Sequence, residues 1–141
     1  MQKIIIDTNV LVSSILSRSY PNFIIRELFL KNKIHLCISL AIGTEYEDVL
    51  FHPKFLKYSE FQKEAELLIT QIEAKALNYF PKVKINIIAD LKDNKFLELA
   101  EECNADFIIT GNSRDFMFSS YINTRIVSLK FIGIPINQIE N

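Results

Sequence analysis

Four carboxylate residues stand where a strand ends or a helix begins in the predicted element pattern. They are Asp7, Glu45, Asp93 and Asp115. Several carboxylates in one cleft repel each other unless a cation lies among them. Hard oxygen ligands are what Mg²⁺ or Mn²⁺ prefers, and such an ion can lower the pKa of a bound water and stabilise charge on a phosphoryl oxygen. The set therefore indicates metal-assisted hydrolysis of phosphodiester bonds.

The elements that must position these acids are two apolar strands. Residues 3–6 contain three consecutive isoleucines and predict a buried strand that ends directly before Asp7. Residues 107–109 predict another strand, which is followed by Thr110. Ligands of an open α/β sheet collect outside the carboxyl ends of its strands. We therefore expect Asp7, Asp93 and the 110–115 loop to lie at one edge of the sheet.

The rest of the chain alternates between helix and strand patterns. Helices are predicted over 9–16, 21–31, 39–50 with Ser39 as N-cap, 60–78 with Ser59 as N-cap, and 93–103, and strands over 34–38, 83–88 and 125–128. In the long helix, the expected buried face is Leu67, Leu68, Ile72 and Leu77. The alternation predicts one three-layer α/β/α sandwich with a central, mostly parallel sheet over residues 1–141, in which 133–141 form a surface tail.

Composition narrows the possible functions. The 141 residues are 49% hydrophobic, which suits one domain with a real core. The chain has only three glycines, which excludes a P-loop or a GxGxxG loop that binds phosphate. Its two cysteines form no CxxC pair, so they are expected to be buried thiols rather than zinc ligands. A net charge of −1 counts against a nucleic-acid binder unless the basic residues cluster. No apolar run approaches the roughly 20 residues that span a bilayer, so a cytoplasmic protein without membrane contact is expected.

Each acid also has a purely structural explanation. Asp7 and Asp93 could cap the helices that follow them, Glu45 could be a solvated helix residue, and Asp115 could be a turn residue. Their joint placement at one predicted sheet edge is what favours a shared site.

Four segments in this order carry a family resemblance. They are 7–13 (DTNVLVS), 45–55 (EYEDVLFHPKF), 90–100 (DLKDNKFLELA) and 105–112 (ADFIITGN). Together they resemble the PIN-domain family over residues 3 to about 131, and most closely its branch of toxin components of bacterial toxin–antitoxin pairs.

The resemblance implies a PIN-like fold and a metal-dependent ribonuclease. Single-stranded RNA would be cleaved by a water that Mg²⁺ or Mn²⁺ activates, leaving a 5′-phosphate and a 3′-hydroxyl. By motif match, Asp7, Glu45 and Asp93 would form the acidic metal-site triad, Thr8 and Asn9 would orient Asp7, and Thr110 would help order the site. An antitoxin partner and a homodimer are implied by family alone.

The chain departs from the family pattern at one position. Many members carry an acid where this chain has Asn112, which could ligate a hard cation through its carbonyl oxygen without adding charge. Asp115 is the second candidate for a fourth acid. The residues expected to contact RNA phosphates are Arg18, Lys54, Lys57 and Arg114.

Three other interpretations of the sequence remain. A phosphotransfer receiver domain would need an acidic pair after the first strand, where this chain has Asp7 followed by Thr8. A haloacid-dehalogenase-type phosphatase would need a second Asp at the position of Asn9. The third is a PIN-fold binding module that has lost catalytic strength and acts through a partner protein, which Asn112 favours.

Overall fold

A parallel sheet of short apolar strands forms the centre of the molecule. The computed structural model describes residues 1–17, 20–86, 94–111 and 120–128. Its strands are β1 Lys3–Ile6, β2 His35–Ile38, β3 Leu77–Asn78, β4 Phe107–Thr110, β5 Ser120–Tyr121 and β6 Thr124–Ser128. Their order across the sheet is β3-β2-β1-β4-β6-β5. The β5–β6 pair is antiparallel, and the other four pairs are parallel.

Helices cover this sheet, as the alternating pattern predicts. They are α1 Thr8–Leu16, α2 Tyr20–Phe23, α3 Leu40–Leu50, α4 Ser59–Lys75 and α5 Asn94–Cys103. A π-helical stretch, Ile24–Phe29, continues α2, and a 3₁₀ turn, Pro53–Phe55, follows α3. The α/β sandwich is therefore confirmed. None of the helices in the described ranges combines the length and the apolar character that crossing a bilayer requires.

The register between β1 and β4 fixes the edge where the first acid lies. Ile6 is aligned with Ile109, and both strands are fully buried at this point. The residues that follow this aligned pair are Asp7 and Thr110, so the chain brings them to the same level at the carboxyl edge. Large β-branched side chains on both faces suit strands covered on both sides.

Several sequence expectations are confirmed in detail. The helix predicted over 9–16 spans Thr8–Leu16, and the strand predicted over 34–38 spans His35–Ile38. The Ser39 hydroxyl caps α3, as predicted, by accepting from the backbone N–H of Ile42 at 3.3 Å. Both cysteines, Cys37 and Cys103, are free and buried.

The long helix differs from its prediction at both ends and on one face. Tyr58, not Ser59, occupies the N-cap position, and the helix ends at Lys75 rather than near 78. The buried face consists of Phe61, Ala65, Leu68, Ile69 and Ile72. Leu67 lies off this stripe and is 66% exposed, because a step of one residue turns a side chain by about 100° around the helix.

The prediction of a strand over 83–88 is wrong for residues 83–86. Residues 83–86 form no strand, and 87–88 lie outside the described residues, as does the expected tail at 133–141. The sheet instead gains the two-residue strand β3, which pairs parallel with β2 through Cys37 and Leu77.

Candidate active site

The Asp7 carboxylate lies at the carboxyl edge of the sheet and is nearly buried. Its residue is 7% exposed, and its backbone N–H donates to the carbonyl oxygen of Ile109 at 2.9 Å, which extends the β1–β4 ladder by one step. The hydroxyl of Thr110 donates to Asp7 Oδ2 at 3.0 Å. Although Asp7 occupies the N-cap position of α1, its side chain makes no capping hydrogen bond. Helix capping therefore does not account for this carboxylate.

Both carboxylate oxygens of Glu45 are engaged by side chains from other elements. The hydroxyl of Thr8, at the start of α1, donates to Oε2. The ammonium of Lys95, at the start of α5, lies 2.5 Å from Oε1. The side chains of Lys95 and Glu45 are 19% and 25% exposed, so this ion pair is shielded from bulk water. Since Thr8 is the residue next to Asp7, these contacts bring the two acids to one site.

Tyr46 supports the site from the protein interior. Its side chain is fully buried and its hydroxyl donates to the carbonyl oxygen of Ile6, the residue directly before Asp7. Burial raises the pKa of this phenol well above its ordinary value, and the negative charges of Asp7 and Glu45 add to the shift. The phenol therefore remains protonated and keeps donating to the end of β1.

Replacing Tyr46 with phenylalanine is expected to lower the free energy of unfolding by about 1 kcal/mol, because one buried hydrogen bond is lost. The loss should be constant near neutral pH. Above about pH 10 the unfolded phenol ionises while the buried one stays protonated, so wild-type stability falls and the gap to the variant narrows. Urea unfolding at several pH values measures this, with Tyr58→Phe, at a half-exposed side chain, as the control. If the difference in unfolding free energy between wild type and Tyr46→Phe instead widened above about pH 10, Tyr46 would not be a buried phenol that stays protonated.

The structure describes only some of the other residues that were expected at the site. Asn9 is exposed on α1. Asp93, Asn112, Asp115, Arg18 and Arg114 lie outside the described residues. Within the described ranges, no group of three or more acid, histidine or cysteine side chains could hold a metal ion. The described part of the site therefore contains Asp7 and Glu45, two of the four expected acids.

Two of the residues expected to contact RNA, Lys54 and Lys57, lie beyond the carboxyl end of α3. Lys54 belongs to the 3₁₀ turn after α3, with its ammonium 5.2 Å from the centroid of the Phe55 ring. The Lys57 ammonium is 5.3 Å from the centroid of the Tyr58 ring. Both follow the carboxyl end of α3, whereas the sheet edge meets the amino end of that helix.

Sequence reasoning missed the contribution of Lys95. Segment 90–100 carries the family resemblance, but the resemblance implies no role for this lysine. The helix pattern places position 95 in the first turn of α5, but it does not show which side chain the lysine contacts.

Comparison with known proteins decides the family. A family model described as a PIN domain matches residues 3–114, which is most of the chain. This chain belongs to the PIN-domain family. The match contains Asp7, Thr8, Glu45, Lys95 and Thr110 and ends one residue before Asp115.

One relative aligns with most of the chain. An uncharacterized protein of Methanocaldococcus jannaschii is 32% identical over 113 residues, which cover 78% of this chain and 70% of the relative. PIN domains are generally nucleases, act on nucleic acid and typically use divalent metal ions. The acids at the sheet edge of this PIN domain are consequently its candidate catalytic centre.

Proposed function

We propose that this PIN domain is a Mg²⁺- or Mn²⁺-dependent endoribonuclease that hydrolyses single-stranded RNA. The observation that carries the proposal is the Asp7 carboxylate, which is more than nine-tenths buried, held by Thr110, and linked through Thr8 to a second acid. A buried carboxylate is costly unless a donor or a cation compensates it. Retaining one at the carboxyl edge of a parallel sheet, where α/β proteins place their ligands, favours a functional role.

The donor set fits a hard divalent cation. Asp7 and Glu45 offer carboxylate oxygens, and Glu45 already attracts a positive charge in the form of Lys95. We propose that Asp7 and Asp93 hold the ion directly and that Glu45 and Asn112 offer further oxygen ligands. When bound, the ion supplies Lewis acidity, which acidifies water and stabilises charge on a phosphoryl oxygen.

The protein's own residues orient the acids. Thr110 donates to one oxygen of Asp7, and the Asp7 side chain does not cap the N–H groups of α1. Thr8 and Lys95 hold Glu45 from two directions, and we assign to Glu45 either metal ligation or orientation of the attacking water. Asp115 is proposed as a further acid, and Asn9 as a support of Asp7. The phosphate contacts proposed for Arg18, Lys54, Lys57 and Arg114 would add sequence-independent affinity.

We further propose that this nuclease is the cytoplasmic toxin of a toxin–antitoxin pair, with an antitoxin protein as partner and a homodimer as its assembly. This part rests on the family resemblance of the four segments. Co-expression with the product of an adjacent gene, followed by co-purification, tests it.

A second function is a catalytically weakened binding module that acts through a partner protein. One observation favours it: the ammonium of Lys95 is bonded to Glu45, so a metal ion must compete with it. Asn112, in place of the acid found in many members of the family, points the same way.

A cleavage assay tests the proposed function directly. A labelled single-stranded RNA is incubated with the purified protein and Mn²⁺, Mg²⁺ or excess EDTA. We expect cleavage with either ion, none in EDTA, and products that a 5′-phosphate-dependent exonuclease degrades. In the proposed reaction, water attacks phosphorus and the 3′ oxygen leaves, so the upstream fragment ends in a 3′-hydroxyl and the downstream fragment keeps the phosphate on its 5′ end. Cleavage in EDTA, or products with a 2′,3′-cyclic phosphate, would contradict metal-assisted hydrolysis. Intact RNA in every condition would favour the binding module.

A further inference from the structure

A groove of about 260 Å³ adjoins the acid site. It lies between the amino end of α3 and the segment that follows β3. The residues of interest along it are Tyr79, Phe80, Lys82, Lys84, Lys95 and Glu98. Lys95 lines this groove and also contacts Glu45. The groove and the candidate acid site therefore share the Lys95 side chain.

The segment that forms one wall is fixed although it contains no helix or strand. The backbone N–H of Tyr79 donates to the carbonyl oxygen of Ile38 at 2.9 Å. The carboxylates of Glu102 and Glu98 accept from the backbone N–H groups of Lys82 and Ile85 at 3.2 and 2.9 Å. The side chain of Ile85 is buried. These contacts use backbone donors, so the lysine side chains of the segment are not needed to hold it.

The side chains on this wall are of the kinds that bind a single strand. Phe80 is 77% exposed, and Lys82 and Lys84 are exposed at positions two and four residues further on. Among the described residues, neither ammonium forms an ion pair. The groove's carboxylate, Glu98, already accepts the hydrogen bond from the backbone.

The two aromatic residues of the wall differ in availability. The ammonium of Lys3 lies 5.6 Å from the centroid of the Tyr79 ring, so that ring is already covered by a cation. Phe80 is the ring that projects into solvent. Positive side chains that follow a backbone, combined with an open aromatic ring for a base, are the common way of binding single-stranded nucleic acid without sequence preference.

We propose that this groove binds a single strand of nucleic acid and leads it to the acid site. Lys82 and Lys84 contact phosphates, and Phe80 stacks on a base. The proposal deepens the proposed nuclease function and rests on it for the reaction, although binding itself needs no cleavage. It also differs from the contacts proposed at Lys54 and Lys57, which lie beyond the other end of α3. That helix has 11 residues and is about 16 Å long.

Binding without metal tests the groove separately from the chemistry. Fluorescence anisotropy follows the full chain binding to an oligouridylate of about twelve nucleotides in EDTA, across a series of salt concentrations. A matching oligothymidylate shows whether the groove distinguishes RNA from DNA. The variants are Lys82→Ala with Lys84→Ala, Phe80→Ala and Phe80→Trp. Controls with the same change of charge or ring are Lys33→Ala with Lys63→Ala, and Phe51→Ala, all at exposed side chains.

The two kinds of contact predict different signatures. Loss of both lysines should raise the Kd about tenfold at low salt and flatten the slope of log K against log salt by about 1.4, since each phosphate contact on a single strand contributes about 0.7. Loss of the Phe80 ring should raise the Kd about tenfold with an unchanged slope, because stacking releases no counterions, and tryptophan should restore binding. The controls should bind as wild type does.

The outcomes separate this proposal from the nuclease proposal. If the groove variants bind like wild type while wild type cleaves RNA with Mn²⁺, the groove assignment is overturned and the nuclease stands. If wild type binds through the groove and never cleaves, the groove stands and the binding module is favoured. Equal weakening by Lys33→Ala with Lys63→Ala, or no binding of either oligonucleotide at low salt, overturns the groove assignment.

Discussion

Replacement of Asp7 by asparagine is expected to lower Mn²⁺-dependent RNA cleavage by about a hundredfold or more. The substitution keeps the size of the side chain and leaves an amide oxygen that can accept from Thr110. It removes the negative charge that would hold the cation and that the cation would balance. A hundredfold loss corresponds to about 2.7 kcal/mol of transition-state stabilisation, within the several kcal/mol that a catalytic metal supplies.

The same variant is expected to fold normally. In EDTA its free energy of unfolding should stay within about 1 kcal/mol of wild type, because a nearly buried carboxylate is itself costly to keep and the acceptor for Thr110 is retained. Wild type should gain thermal stability from Mn²⁺, since a ligand that binds only the folded state stabilises it, and the variant should not. This contrast attributes lost cleavage to lost metal rather than to unfolding.

A matched control is available on α3. Asp48→Asn makes the same chemical change at an exposed residue, and it should leave both cleavage and the Mn²⁺ shift unaltered. If Asp7→Asn cleaved RNA as fast as wild type does, the nuclease proposal would be contradicted, because the carboxylate would serve the fold alone.

The first acid could be located from sequence because a simple rule governs it. Three buried isoleucines predict β1, the apolar run at 107–109 predicts β4, and parallel strands end at a common edge. The aligned pair Ile6 and Ile109 realises this, and it places Asp7 beside Thr110. No side-chain detail is needed for that step.

The partner of Glu45 could not be obtained in this way. Lys95 reaches Glu45 from another helix, and a long flexible side chain leaves no periodic trace of the contact it makes. Apolar spacing located both helices, α3 and α5, yet their mutual distance depends on how they pack. The pairing therefore became visible only in the three-dimensional structure.

The remaining errors in the fold also have physical causes. β3 has two residues, Leu77–Asn78, which is too few to show an alternating pattern, and it exists because β2 offers it a free edge. Within 21–31 the apolar stripe correctly predicts a helix. It does not reveal that the backbone N–H of Leu30 bonds to the carbonyl of Ile25, five residues back, because an apolar stripe does not specify backbone hydrogen-bond partners. The Ser59–Gln62 pair matches a capping box, but the helix starts one residue too early to use it.

Replacement of Glu45 by glutamine is expected to lower cleavage by about a hundredfold and to destabilise the metal-free protein slightly. The catalytic loss follows from removing an anionic oxygen beside Asp7. The destabilisation, about 1 kcal/mol, follows because the Lys95 ammonium, 19% exposed, loses the anion that compensates its partial burial. Glu47→Gln makes the same change two residues along α3 at an exposed side chain and should leave both quantities unaltered.

Removing the charge of Lys95, unlike removing that of Glu45, is expected to strengthen metal binding. Lys95→Gln retains a donor for Glu45 but removes the charge that competes with a cation, so the affinity for Mn²⁺ should rise severalfold when titrated without RNA. If Mn²⁺ instead binds equally well to wild type and to this variant, the ammonium does not compete at the site, and Asn112 alone still favours a weakened binding module.

The double variant separates a structural from a catalytic role for Glu45. Glu45→Gln together with Lys95→Gln replaces the ion pair with two amides that can still hydrogen-bond, so the unfolding free energy should recover toward wild type as in a double-mutant cycle. Cleavage should not recover, because the anionic oxygen is still missing. If cleavage returned together with stability, Glu45 would act only by holding Lys95 and Thr8 in place, and Asp7 would need a different acidic partner.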